Sequence, residues 1–254
     1  MPNAAGALAC ARVLASSTAK LLEQLSDDDL VLDVGGWAKP FARADWVLDL
    51  LPYDTRGLYG YEQGDRARER FNAGTWVTRD ICDRTPWPFA DGQFNFAICS
   101  HTLEDVRDPI WVCDELQRVA KAGYIEVPSR LVEQAHGVEG NYAGWGHHHW
   151  LIDVSGGRIE FVFKHHIVHG EKRFQVPHAH LAQLSAGDKV QQLWWHGSFE
   201  ARERVFIDPP EALHGYLIAV VPDARAERPT PPSTRSRTAR VRTRVARMLR
   251  GGRA

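Results

Sequence analysis

Apolar residues in this chain come in short runs, and most of the runs close on a glycine or an acid. Leu30-Val31-Leu32-Asp33-Val34 runs into Gly35-Gly36. A run of this length closed by glycine predicts a buried strand of a parallel sheet. The two glycines let the backbone turn sharply and approach a ligand closely. Trp46-Val47-Leu48 ends at Asp49 and predicts a second strand. Thr75–Thr78 predicts a third, followed by Arg79-Asp80-Ile81, and Phe94–Cys99 a fourth, apolar but for Asn95 and central. Tyr124–Pro128 predicts a fifth. Between them lie helical patterns. Residues 4–25 carry a partial stripe, including Leu8, Leu21, Leu22 and Leu25, stopped by Ser26-Asp27-Asp28-Asp29. Asp108-Pro109 is an N-cap followed by proline at the first helical position. Ile110, Cys113, Leu116, Val119 and Ala120 are the buried stripe of that helix. Alternation of this kind up to residue 128 predicts an α/β fold with a mostly parallel twisted sheet.

Two stretches depart from the pattern. Only about ten residues separate Gly36 from the second strand, and Pro40 is among them, so no full crossover helix fits. The first crossover is therefore shortened to a loop or one turn. A short helix is expected at 65–71. Beyond residue 128, Trp150–Val154 and Arg158–Phe163 flank Ser155-Gly156-Gly157 and predict a hairpin. Glu203–Ile207 and Tyr216–Val221 are expected as two more strands that finish the sheet.

Composition changes this picture at one end only. Of 254 residues, 44% are apolar and 25% charged, which is ordinary globular material. The net charge of -1 hides an asymmetry, since residues 223–254 carry ten Arg against two acids. A main domain over 1–222, with an insert at about 131–200, is followed by a basic tail over 223–254. The tail reads as a disordered, solvated segment. Val241, Val245 and Met248 would share one face of a helix, a pattern suited to an anionic membrane surface. Nucleic acid is disfavoured because no aromatic side chain interleaves the arginines. Cys10, Cys82, Cys99 and Cys113 show no paired spacing and read as reduced thiols of a cytoplasmic protein.

The chemistry sits at the strand ends. An acid closing the second strand is how nucleotide-binding α/β folds hold a ribose. Asp49 therefore points to a nucleoside-containing cofactor across the carboxyl ends of the strands. The order of motifs over residues 28–130 resembles a class I S-adenosylmethionine-dependent methyltransferase of the type 11 kind. Leu30–Gly36 is similar to that family's first motif. Trp87-Pro88-Phe89-Ala90-Asp91-Gly92-Gln93-Phe94 is similar to its Pro-Phe-x-Asp-Gly-x-Phe loop, and Asp114–Val119 to its following helix. The family usually has a third glycine and a helix after the first strand; here Trp37 and Pro40 intervene. Asn95 replaces a frequent Asp, and Asp105 stands where His is common.

The resemblance implies a Rossmann-like fold with helices on both faces, S-adenosylmethionine as cofactor, and a site made of named positions. Asp33, Gly35 and Gly36 would lie against the methionine part. Asp49 would hold the ribose, and Asp80 and Ile81 would flank the adenine. Cys99 and Ser100 match the segment after the fourth strand. His101, just past that strand, is the candidate catalytic base for a hydroxyl acceptor. The expected acceptor is a small molecule such as a sugar or natural-product intermediate. A non-catalytic methyltransferase-like binding module is the alternative, and the shortened crossover is its main support. A nicotinamide dehydrogenase is disfavoured because Gly35–Pro40 lacks the Gly-x-Gly-x-x-Gly pattern. Eight of the twelve His lie between His147 and His180, but no spacing among them fits a defined metal site, and no metal is expected. Tyr142, Trp145 and Trp150 are candidates for an acceptor pocket, and Trp194-Trp195 for a pocket or the core.

Overall fold

The structure is a computed structural model and describes residues 13–57, 66–207 and 210–222. The basic tail over 223–254 and the first turns of the expected leading helix lie outside these residues. The description concerns the unit that runs to Val221.

Five parallel strands form the framework: β1 (Val31–Val34), β2 (Trp46–Asp49), β3 (Trp76–Thr78), β4 (Phe96–Ser100) and β5 (Ala122–Pro128). Their spatial order is β3-β2-β1-β4-β5, extended by β8 (Val190–His196), which runs antiparallel to β5. Strand order reverses between β1 and β4, so their carboxyl ends diverge and leave a crevice. This is the expected Rossmann-like sheet with its shortened first crossover. Residues 37–45 hold no helix, and the loop is tied down by strand-end acids.

Period-two alternation sorts each strand onto two faces. Leu32, Val34, Leu48, Ala97, Cys99, Ile125 and Val127 face one core with Val112, Cys113 and Leu116 of helix α2 (Pro109–Val119). Val31, Val47, Ile98 and Tyr124 face the other, with Leu21 of helix α1 (Ala15–Gln24). Asp108 caps α2 as its sequence predicts, accepting from the Trp111 amide at 3.2 Å. In α1 only Ser17 and Leu21 are buried, and Leu22, expected on the stripe, is exposed.

The second half differs most from expectation. The hairpin β6 (Trp150–Ser155) and β7 (Arg158–Phe163) forms, but in a separate sheet completed by β9 (Glu200–Glu203). The main sheet is finished by Val190–His196 and not by the two stretches expected. Residues 204–207 are irregular, and Pro210–Ile218 is a helix. Length and prolines decide the latter: an apolar run cannot be told from a buried helix by pattern alone, and prolines at 209 and 210 favour a helix start.

Candidate active site

The carboxyl ends of β1, β2 and β4 open into a cleft of about 590 Å³. That is within the ordinary range for a small-ligand site. One wall is made by the loop after β1 and by Asp49, Asp80 and Ile81. The other is made by the β4 loop and by Trp145, His147 and His148 of the segment leading into β6.

Gly35 turns the chain out of β1 at φ +77°, and a Cβ there would lie 2.1 Å from the Thr102 hydroxyl. A side chain is excluded on both counts, which brings bare backbone to the floor of the cleft. A Cβ on Gly36 would meet the Asp33 carboxylate at 2.3 Å. Asp33 is buried and accepts from the Phe41 amide at 2.8 Å. Burial pushes its carboxyl up to about 7, against the Phe41 hydrogen bond and with help from Asp49. Asp33 thus shapes the loop from behind and does not line the main cleft. Asp49 does line it. Its two oxygens accept from the Trp37 and Leu51 amides at 2.9 and 2.8 Å. Burial raises the Asp49 carboxyl, and these backbone bonds oppose the rise. A carboxylate accepts about four hydrogen bonds, so Asp49 retains capacity for a ligand hydroxyl.

Asp80 accepts from the Cys82 amide at 2.9 Å and pairs with Arg107 at 2.8 Å. The net effect of the Arg107 partner and that amide is to lower its carboxyl. Ile81 lies beside it, largely buried, on the cleft wall. Cys99 faces the core and reaches no cleft. Ser100 lines a smaller recess behind Gly35 and Gly36, and its buried hydroxyl has no partner among the described residues.

His101 adopts φ +51°, a left-handed backbone that few non-glycine residues take. This turns its ring inward between two acids. Nδ1 is 3.5 Å from Glu104 and Nε2 is 3.3 Å from Glu126, contacts too long or misaligned for good hydrogen bonds. Desolvation lowers its pKa, but Glu104 and Glu126 together overcome this and raise it to about 9. The two acids thus favour the charged form of the ring. Glu126 also accepts from the Leu14 amide at the start of α1, at 2.9 Å, and from the Tyr124 hydroxyl.

Sequence reasoning gave no role to Glu104 or Asp105 and passed over Glu126 and Glu133. A signal existed for Glu126, an acid inside the apolar run Tyr124–Pro128, where a charge needs a partner. On the opposite wall, His148 Nδ1 pairs with Glu133 at 2.6 Å, and Glu133 takes Lys164 Nζ at 2.8 Å. His148 is raised, because Glu133 outweighs desolvation, and the same neighbours keep Glu133 low. The Asp105 carboxyl, though 42% exposed, is pushed up by desolvation in the cleft wall and by Glu104 and Glu133, partly countered by His148. Trp150 is largely buried and donates to the Val106 carbonyl at 2.8 Å, so it fastens the hairpin to the β4 loop. Tyr142 lies outside the cleft lining.

The methyltransferase domain family matches residues 59–125. No curated protein matches the chain. Solved structures do. A candidate methyltransferase of Bacillus halodurans is 21% identical over 45% of this chain and 52% of its own, with a TM-score of 0.34. A SAM-dependent methyltransferase of Aquifex aeolicus is 19% identical over 44% and 64%, TM-score 0.32. A phosphoethanolamine N-methyltransferase of Haemonchus contortus, bound to phosphomonomethylethanolamine and S-adenosylhomocysteine, is 15% identical over 44% and 27%, TM-score 0.32. The chain spans about half the length of the first of these.

Proposed function

We propose that this class I methyltransferase domain, whose cofactor is S-adenosylmethionine, moves a methyl group to a hydroxyl of a small molecule bound in its cleft. The observation that carries the reading is Asp49, a carboxylate at the end of β2 that lines the cleft with spare lone pairs. The residues fit the cofactor. Asp49 would accept from the ribose hydroxyls, Asp80 and Ile81 would flank the adenine, and the side-chain-free backbone at Gly35 would receive the methionine part. The cofactor supplies an activated methyl on a sulfonium. The chain's own part is to position and to exclude water.

Trp145, His147 and His148, across the cleft, would receive the acceptor, with a sugar or natural-product intermediate as the class in view. His101 is proposed as a positioning residue and not as the base expected from its place in the sequence. A charged imidazole between two buried acids has no free lone pair with which to take a proton. Its charge instead holds Glu104 and Glu126, and with them the β4 loop, in place.

Calorimetric titration with S-adenosylmethionine tests the reading. We expect one site per chain. Asp49→Ala should weaken it by about 1.5–3 kcal/mol, roughly 10- to 150-fold, the scale of lost charge-assisted hydrogen bonds. Asp49→Asn keeps an acceptor for only one of the two loop amides and turns an NH2 toward the other, so it should weaken binding as well, through the ribose contact and the loop together. Wild-type affinity in both variants would remove Asp49 from the cofactor site.

A further inference from the structure

We infer that Asp105, His147 and His148 form a site for one divalent transition-metal ion on the acceptor side of the cleft. The ion's role in catalysis rests on the methyl-transfer reading; its binding does not.

The three donors converge from two parts of the chain. Nε2 of His148 is 3.5 Å, and Nε2 of His147 is 3.9 Å, from the same Asp105 oxygen. One atom from each residue falls within a 4.8 Å group. These gaps are too long for hydrogen bonds among the three. They are close to what an ion requires. Nitrogen and oxygen ligands at roughly 2.0–2.2 Å from a metal stand about 3.4 Å apart at the tetrahedral angle. The two gaps to Asp105 exceed that by about half an ångström at most.

A second feature fixes the orientation of one donor. His148 gives Nδ1 to Glu133 at 2.6 Å, which leaves Nε2 facing Asp105. A carboxylate behind a ligating imidazole is the usual support of a metal-bound histidine, since it sets the ring's orientation and raises its basicity. Glu133 is itself buried and held by Lys164, so this support is rigid. The His148 side chain is only 7% exposed, whereas His147 and Asp105 are 60% and 42% exposed, which leaves an open side for further ligands.

The cations nearby are held by other acids. Lys164 is engaged by Glu133, and His101 by Glu104 and Glu126. Among the described residues Asp105 pairs with no Lys or Arg. Two imidazoles and one carboxylate suit zinc, manganese or ferrous iron. Magnesium and calcium prefer oxygen donors throughout.

An ion held by three protein ligands would bind the acceptor hydroxyl at an open position and make it more acidic. The proton leaves to solvent. The oxygen lone pair forms the bond to the methyl carbon, and the carbon–sulfur bond breaks with its electron pair on the sulfur of the departing cofactor. This supplies the deprotonation for which His101 is unsuited.

The test uses the full chain, stripped with a chelator and dialysed. Zinc, manganese and magnesium are titrated separately by calorimetry, and cobalt is added as a spectroscopic probe. We expect one zinc per chain, weaker manganese, no magnesium heat, and visible cobalt bands of a nitrogen–oxygen site. Asp105→Asn and His147→Gln, both at exposed positions, should each lower zinc affinity about tenfold or more and bleach the cobalt bands. Their circular dichroism should match wild type. No zinc uptake, or uptake undiminished in the double variant, would overturn the site and assign any binding to the other histidines. S-adenosylmethionine titrated into the same metal-free protein reads the cofactor site by itself, so the two readings fail separately.

Discussion

His101 shows how much a single backbone angle decides. Its position just past β4 is what a base would need, and the sequence carries no hint that φ is positive there. The left-handed turn aims the ring away from solvent and into the pair Glu104 and Glu126. The consequence can be measured. Its folded pKa of about 9 exceeds the unfolded value near 6.5, so folding takes up a proton between the two. The stabilisation is complete below about pH 6.5, declines as pH rises, and is lost above about pH 9. Nitrogen NMR of the ring should show it protonated through neutral pH. The stability advantage of wild type over His101→Gln should be on the order of 2–3 kcal/mol at pH 6 and should shrink by pH 10. A ring that titrates near 6.5 would restore His101 as a base. At this scale the place of Asp49 at the end of β2 and on the cleft wall was readable, because it depends on strand order alone. Asp105 and Glu133 were not, because their partners are distant in sequence, and Glu104 was not, because its approach to His101 depends on the left-handed turn.

The parallel strands follow from continuous apolar runs, and all five appeared within two residues of where the pattern puts them. Strand β8 did not, because Gln191 and Gln192 break its apolar alternation. Both glutamines are used elsewhere: Gln192 donates to the Ser17 hydroxyl on α1 at 3.0 Å, and Gln191 donates to the Ile152 carbonyl on β6. What β8 needs from its neighbour is visible at Gly123 of β5. A Cβ there would stand 2.5 Å from the Ala97 carbonyl oxygen and 2.6 Å from the Trp195 ring. Gly123→Ala should therefore destabilise the protein by about 1–3 kcal/mol, seen as a lower Tm. Adding Trp195→Leu should recover only part of this, since the backbone oxygen cannot move aside. Full recovery would mean that the ring alone sets the fit.

For the molecule as a whole, every position assigned to the cleft precedes residue 150, and the basic tail follows Val221. Truncation after Pro222 should leave S-adenosylmethionine affinity within about twofold by calorimetry, the scale of a site with no lost contact. A larger loss would place part of the site in the tail. The shortened crossover was legible from Pro40 and from the number of residues available, but its mode of support was not. A helix would carry its own repeating hydrogen bonds. The loop over 35–45 instead takes anchorage from the side chains of the strands on either side, Asp33 at Phe41 and Asp49 at Trp37. Asp49 is thus a latch as well as the proposed ligand acid. The carboxylate proposed to hold the ribose also keeps closed the stretch of chain that walls the cleft. If Asp49 holds the ribose as proposed, recognition of the cofactor and the shape of its container depend on the same two oxygen atoms, and neither can be changed without disturbing the other.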